Sequence, residues 1–392
     1  MFFPPAGKLL ATSCAAVTIT GIMTSALSFS VHSLTPIVTG DHDRRNTELL
    51  ATGLLGSLRY QHWLLKAMQA WETDNQNPLY PFYSAELAPD ATIPDKTERL
   101  KKRLEKVGPV VALFGGTGWK RMFRLAIENP ASRDKQPASA RSGQQAAYQW
   151  DFTLRFTPDR ESPAFEQQFH TTVEKELRSL MSFVHHYGWL GAAPQNGFGW
   201  VEVKENKKTM AKENLPKNNP VFAAKDVVLT ESQYQTLTNV LIQMYEQKFQ
   251  NAAQRVKQLE QDMGSSASHN HKKNELKREK IKKQRYGNSL DHINSNGSPP
   301  IGYEIRRWLY DDQGGGAAPK SFFGRGGNNG YAGYIHVSHP TRKEQDNGWL
   351  LRLRFACRLD KQNGQVVPVP AGALPDASLQ NYEQILHQQA RP

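Results

Sequence analysis

Cysteine is nearly absent from this chain: Cys14 and Cys357 are the only two in 392 residues. Two thiols so far apart give neither a disulfide framework nor the paired spacing of a zinc site, and they suit a reducing cytoplasm. The sequence contains no Gly-x-Ser-x-Gly elbow and no His-Glu-x-x-His pair, which removes the commonest hydrolase signatures. No metal and no cofactor are expected. Long apolar runs are missing too. The uncharged stretch 9–31 is interrupted by Thr12, Ser13, Thr18, Thr20, Thr24, Ser25, Ser28 and Ser30, so neither a membrane span nor a secretory signal is expected. Within it Leu27, Phe29 and Val31 alternate with Ser28, Ser30 and His32, the period of a half-buried strand. That strand leaves residues 1–22 as an N-terminal extension and Met23 as an alternative start.

What the chain does have is positive charge. Lys and Arg total 49 against 37 Asp and Glu, a formal net charge of +12 with pI near 9.5, and aromatics make up 10%. This balance favours an anionic partner, nucleic acid or an acidic membrane surface, over a partnerless basic protein. The most informative loop is Gly188 to Gly199, with glycines at 188, 191, 197 and 199. No Lys-Ser/Thr follows it, and it joins a helix to a strand, so it is not a nucleotide-cofactor loop. Its backbone amides, with Asn196, Gly197 and Gly199, suit phosphate oxygens.

Helical periodicity predicts a helix over 47–71, with Leu54, Leu58 and Leu65 on one stripe and Arg59, Trp63 and Lys66 on another. A basic-aromatic-basic stripe can hold phosphate and stack on a base; the same pattern also fits a Trp63 packed against a neighbouring element. Further elements are a strand around Trp150–Phe156, a helix over 163–187, a strand over 198–203, a helix over 231–263 and a strand through Trp349–Cys357. Residues 131–146 read as a polar linker. The basic run from Lys272 to Arg285 reads as a solvated segment or a nucleic-acid arm. Arg352, Arg354 and Arg358 share one face of the last strand and favour an anion there. Lys120, Arg121 and Arg124, with Trp119, offer a second basic-aromatic group. His185 and His186 are adjacent, point about 100° apart on a helix, and read as capping or interface residues. Asp41, His42 and Asp43 form the only compact acid-base cluster in a loop, able in principle to activate a 2′-hydroxyl or to hold a divalent ion; a solvated turn beside Arg44 and Arg45 is the plainer reading. Together the elements give an α+β protein with antiparallel sheets covered by helices on one face. The unit Leu113-Phe-Gly-Gly-Thr-Gly followed by a strand and Pro130 is echoed by Phe322-Phe-Gly-Arg-Gly-Gly, which carries Arg325, then Pro340, suggesting a duplicated domain.

Four segments in this order resemble the RAMP superfamily of CRISPR-associated RNA-binding proteins. They are the opening strand with its Thr-Pro turn (Phe29 to Gly40), the helix start Gly56-Ser-Leu-Arg-Tyr60, the two Phe-Gly turns, and the glycine-rich loop. The nearest likeness within the family is the two-domain first subunit of the type III-B (Cmr) RNA-targeting complex. The resemblance implies two ferredoxin-like, RNA-recognition-motif-like domains plus a basic flexible insertion. The divisions would be 1–22 extension, 23–220 first domain, 221–263 long helix, 264–300 flexible linker, 301–360 remainder of the second domain and 361–392 polar tail. It further implies a cytoplasmic, non-catalytic subunit that binds CRISPR guide RNA near its 3′ end, and the guide–target RNA duplex, beside other RAMP subunits, with no membrane contact. The alternative is an endoribonuclease using Asp41 or Asp43, with His42, since related backbone subunits are thought to use such an aspartate.

Overall fold

Strict alternation builds the first strand, β1 (Leu27–Ser33): Leu27, Phe29 and Val31 are buried, while Ser28 and Ser30 face outward. The computed structural model describes residues 26–39, 48–74, 108–116, 119–137, 146–159, 170–192, 198–212, 215–263, 269–296, 335–338, 340–343, 348–359 and 366–367, with isolated positions between 92 and 102. After β1 come α1 (Ala51–Asp74), β2 (Phe123–Pro137), β3 (Ala146–Pro158), α2 (His170–His186), β4 (Val201–Glu205) and the short β5 (Lys208–Thr209). These strands form one antiparallel sheet in the order β2-β3-β1-β4-β5. A β-α-β-β-α-β chain whose β2–β3 hairpin lies beside β1, with β4 on the far side, is the ferredoxin-like arrangement. Leu54 and Leu58 of α1 and Leu177, Leu180 and Val184 of α2 bury against Phe29, Val31, Leu154 and Phe156 of the sheet. Both helices therefore cover one face, as the apolar stripes require.

β2 corrects one expectation. Residues 131–137 continue the strand rather than starting a linker, and β2 pairs with β3 to Pro137 through two irregularities. The strand absorbs Pro130 because it is the sheet edge, where a missing N–H costs no ladder bond. The break falls at Asn129, whose φ is 51°.

The second half opens with β6 (Phe222–Leu229), then α3 (Glu231–Met263), α4 (His269–Asn296), β7 (Ile335–Val337), β8 (Thr341–Lys343) and β9 (Gly348–Ala356). Its sheet runs β6-β9-β7, antiparallel throughout, with β8 on β9. The central β9 lies between β6 and β7 as β3 lies between β1 and β2, and α3 follows β6 as α1 follows β1. The turn expected at Phe322–Gly327 lies outside the described residues. A final pair, β10 (Arg358–Leu359) and β11 (Val366–Val367), completes the strands.

A capping box starts α3: Gln233 N donates to Thr230 Oγ1 at 3.2 Å, and Thr230 N donates to Gln233 Oε1 at 2.9 Å. The flexible linker expected over 264–300 is instead largely α4, folded back along α3. Val256, Leu259 and Leu276 form its small core. Arg255 pairs with Glu275 at 2.6 Å and Lys280 with Glu260 at 2.7 Å. The basic composition of this segment hides the few apolar positions that hold the hairpin.

A second core joins the two halves. Trp63, Leu64, Ala67 and Met68 of α1, Phe183 of α2, Trp189 and Trp200 meet Val221, Phe222, Ala356 and Cys357. Burial pushes the Cys357 thiol up, so it stays protonated and unreactive. Among the described residues no helix is long and apolar enough to cross a membrane.

Candidate nucleic-acid interface

The α1 stripe that the sequence suits to RNA faces inward. Trp63 is fully buried in the seam between the halves and stacks on Tyr60 at 5.8 Å. Arg59 donates to the carbonyls of Phe114, at 3.0 Å, and Gly115. Lys66 donates to Glu176 at 2.6 Å, and His62 shares that carboxylate at 3.1 Å. Burial pushes the Glu176 carboxyl up, but His62 and Lys66 outweigh it and hold it down at about 2. Burial likewise lowers His62. This stripe thus locks α1 to α2 and to the Phe-Gly turn. Trp119 is buried as well, its indole N–H donating to Ala112 O at 3.0 Å.

Arg352 and Arg354 are corrected in the same way. Arg354 is 1% exposed and donates to the carbonyls of His186 (2.9 Å), Tyr187 (3.2 Å) and Lys225 (3.2 Å) and to Asp226 (2.7 Å). It therefore satisfies carbonyls at the C-terminal end of α2, where a cation is favoured. Arg352 is also buried, and burial together with Arg354 lowers its guanidinium to about 10. That face of β9 packs on the first half instead of meeting solvent. Strand alternation assigns residues to a face; it does not say what covers the face.

His185 and His186 have packing roles. Val203 N donates to His185 Nδ1 at 3.0 Å, and His186 Nε2 bonds Met210 O at 3.0 Å. Burial, then His186, Arg352 and Lys204, lower His185 to about 4.

The motif segments themselves do converge, around the first half of α1. Ala192 N donates to Val38 O at 2.7 Å, Gly199 N to Pro36 O at 2.8 Å, and Leu190 N to Gly199 O at 2.8 Å. The base of the glycine loop is thereby sewn to the Thr-Pro turn. Gly199 has φ +83°, and a Cβ there would lie 2.1 Å from Leu190 O, so this glycine serves close backbone packing. Leu50 N donates to Thr39 Oγ1 at 3.2 Å, and Ser57 Oγ to Trp189 O at 3.2 Å. Gly115, with φ +80°, closes the Phe-Gly turn against Arg121. On this same stretch of α1, a Cβ at Gly56 would meet nothing within 4 Å.

Beside the Phe-Gly turn stand the candidate cations that remain accessible. Arg124 is 67% exposed and Lys120 44%; Asp159 sits between them, at 3.6 Å and 3.5 Å. The Arg121 guanidinium lies over the Phe123 ring at 5.7 Å. Asp159 carries no sequence signal, since it simply follows the last residue of β3.

The open face of the first sheet is polar. A shallow depression of about 360 Å³ there is lined by Ser30, His32, Asn129, Asp151, Thr153 and Lys204, among others. His32 and Asp151 pair at 2.8 Å, and Arg133 reaches Asp151 at 2.9 Å. The rings that line the depression are Phe152, which is buried, and His32, which is paired with Asp151. Asp41, His42, Asp43, Asn196, Gly197 and Arg325 lie outside the described residues.

Residues 30–202 match the family model of the RAMP superfamily. No curated protein matches the chain. Two solved structures are similar over almost its whole length. One is a chain of the type III-B Cmr-beta bound to cognate target RNA and AMPPnP in the presence of single-stranded DNA, with 11% identity, 93% of this chain and 98% of that one covered, and TM-score 0.40. The other is a chain of the type III-B Cmr-beta bound to cognate target RNA, with 11% identity, coverages of 93% and 99%, and TM-score 0.37.

Proposed function

Taking residues 30–202 as a RAMP-superfamily domain, we propose that the chain is a non-catalytic RNA-binding subunit of a type III-B CRISPR effector complex. Its partners are guide RNA, contacted near the 3′ end, the guide–target RNA duplex, and other RAMP subunits. The type III-B assignment rests on the order of the four motif segments in the sequence. The observation that carries RNA binding is the open ground over Gly56, bordered by the Thr-Pro turn, the glycine loop and the Phe-Gly turn with Lys120 and Arg124. Small residues there let a strand approach the backbone, and the exposed cations supply charge for its phosphates. Contacts of this kind position a strand without reading its sequence, so target choice falls to base pairing with the guide.

The test is RNA binding by the purified full chain. The Lys120→Glu/Arg124→Glu variant is expected to bind more weakly and to show a shallower salt dependence, by about 0.7 for each phosphate of a single strand that is no longer neutralised. Unchanged affinity and slope would refute the site. RNA cleavage by wild-type protein that disappears in Asp41→Ala or Asp43→Ala would instead refute the non-catalytic reading.

A further inference from the structure

We propose that the α3–α4 hairpin is a second RNA-binding element, in which the outer face of α4 lies along the phosphate backbone of the RNA strand. The inference rests on the RNA-binding reading above and extends it to a part of the chain outside the RAMP match.

The hairpin is an arm. α3 is 33 residues long and α4 is 28, so they reach about 50 Å and about 42 Å. Among the described residues α4 packs along α3 and on no other element to a comparable extent. The base is held firmly: Tyr234 stacks on Trp349 at 3.7 Å, and Trp349 Nε1 donates to Glu231 at 2.9 Å. The two helices further pair Tyr245 with Tyr286 and bring Phe249 against Gly287, where a Cβ would meet the ring at 3.3 Å. A rigid arm presents its charges in fixed positions.

The first half of α4 keeps its anions paired. Glu275 takes Arg255, and Glu279 takes Lys282 at 2.5 Å; the remaining acidic residue of α4, Asp291, is exposed about 20 Å along the axis from Lys277. Lys273, Lys277 and Arg278 are exposed and have no ion-pair partner among the described residues. Lys273 and Lys277 are one helical turn apart, about 6 Å along the axis, close to the repeat of successive phosphates in an extended strand. Three exposed cations without ion-pair partners on the first half of α4, where both acidic residues are paired, complement a polyanion. A protein partner would need apolar anchors, and Ile281, 55% exposed, is the one large apolar side chain exposed on α4 among the described residues.

The experiment uses the full chain and a labelled single-stranded RNA. Lys273→Gln/Lys277→Gln/Arg278→Gln should bind more weakly and lower the slope of log affinity against log salt by about 2, three phosphates at about 0.7 each. Ile281→Ser should leave that slope unchanged, and circular dichroism should show both variants as helical as the wild type. If wild type binds RNA and the triple variant keeps the full slope, the arm is not an RNA-binding element, whereas the Gly56 surface still stands. If wild type binds no RNA, both readings fail. If the triple variant loses binding only to vesicles of anionic phospholipid, the arm serves a membrane and the proposal is overturned.

Discussion

Gly56 offers the sharpest separation of structure from function. A glycine inside an exposed helix costs about 1 kcal/mol relative to alanine, and a Cβ at this position meets nothing within 4 Å. Gly56→Ala should therefore stabilise the first domain by about 0.8–1 kcal/mol, raising its melting temperature by about 2–4 °C. Gly56→Glu should be at least as stable as wild type, since glutamate is also a good helix former. It would, however, place a carboxylate where phosphates are proposed to approach. At about 4 Å the repulsion from a single phosphate is about 1 kcal/mol in water and larger where water is excluded, so affinity for RNA should fall at least about fivefold. Gly53 is the internal control. Its Cβ would lie 2.6 Å from Thr39 O, so Gly53→Ala should destabilise by about 1–3 kcal/mol through overpacking. Thermal denaturation and filter binding on the three variants decide the matter. A Gly56→Glu protein that melts higher and binds RNA as tightly as wild type would refute the surface.

Trp63→Ala should cost about 3–5 kcal/mol through a cavity in the seam, while the affinity of the remaining folded protein for RNA stays the same; denaturant titration and filter binding check the two halves of that statement. Arg354→Ala leaves the carbonyls of His186 and Tyr187 without their donor, while the half-exposed Asp226 turns to water, and should cost about 1–3 kcal/mol. Arg354→Lys should not restore it, because a single ammonium cannot reach all of them; limited proteolysis between the halves reads the effect. Stability should fall as pH drops from about 6.5 to about 4. His185 is held down to about 4, so across that window the unfolded chain binds the extra proton, and up to about 3 kcal/mol is lost as pH drops. His185→Gln should flatten that part of the profile in denaturant titrations at several pH values. Glu176, held at about 2, contributes throughout this window and loses its share only as pH falls from about 4.5 toward 2.

The elements with strong periodicity are legible in the sequence. Leu27/Phe29/Val31, Trp150–Phe156 and Leu237/Leu241/Tyr245/Phe249 of α3 each repeat at the spacing of one element, and each lies in the element that its period predicts. Coverage is not legible. Periodicity puts Arg59, Trp63, Lys66, Arg352 and Arg354 on the correct faces, but those faces meet the other half of the protein, α2 or the Phe-Gly turn. A buried arginine whose partners are backbone carbonyls leaves no mark in a sequence, because every residue has a carbonyl. α4 is hidden for a related reason: Leu276, Tyr286 and Gly287 hold it to α3, and three positions in a strongly basic run show no clear period. Of the candidate RNA-binding residues, Lys120 and Arg124 are the ones found exposed, beside a turn that the sequence itself singles out.

The central claim, membership of an RNA-guided complex, is tested most directly by purifying the tagged chain from its native host, sequencing the RNA that accompanies it and identifying the proteins by mass spectrometry. Small RNAs sharing a repeat-derived 5′ tag, together with other RAMP subunits, are the predicted result. A chain that comes away with no enriched RNA and no such partners would contradict the account.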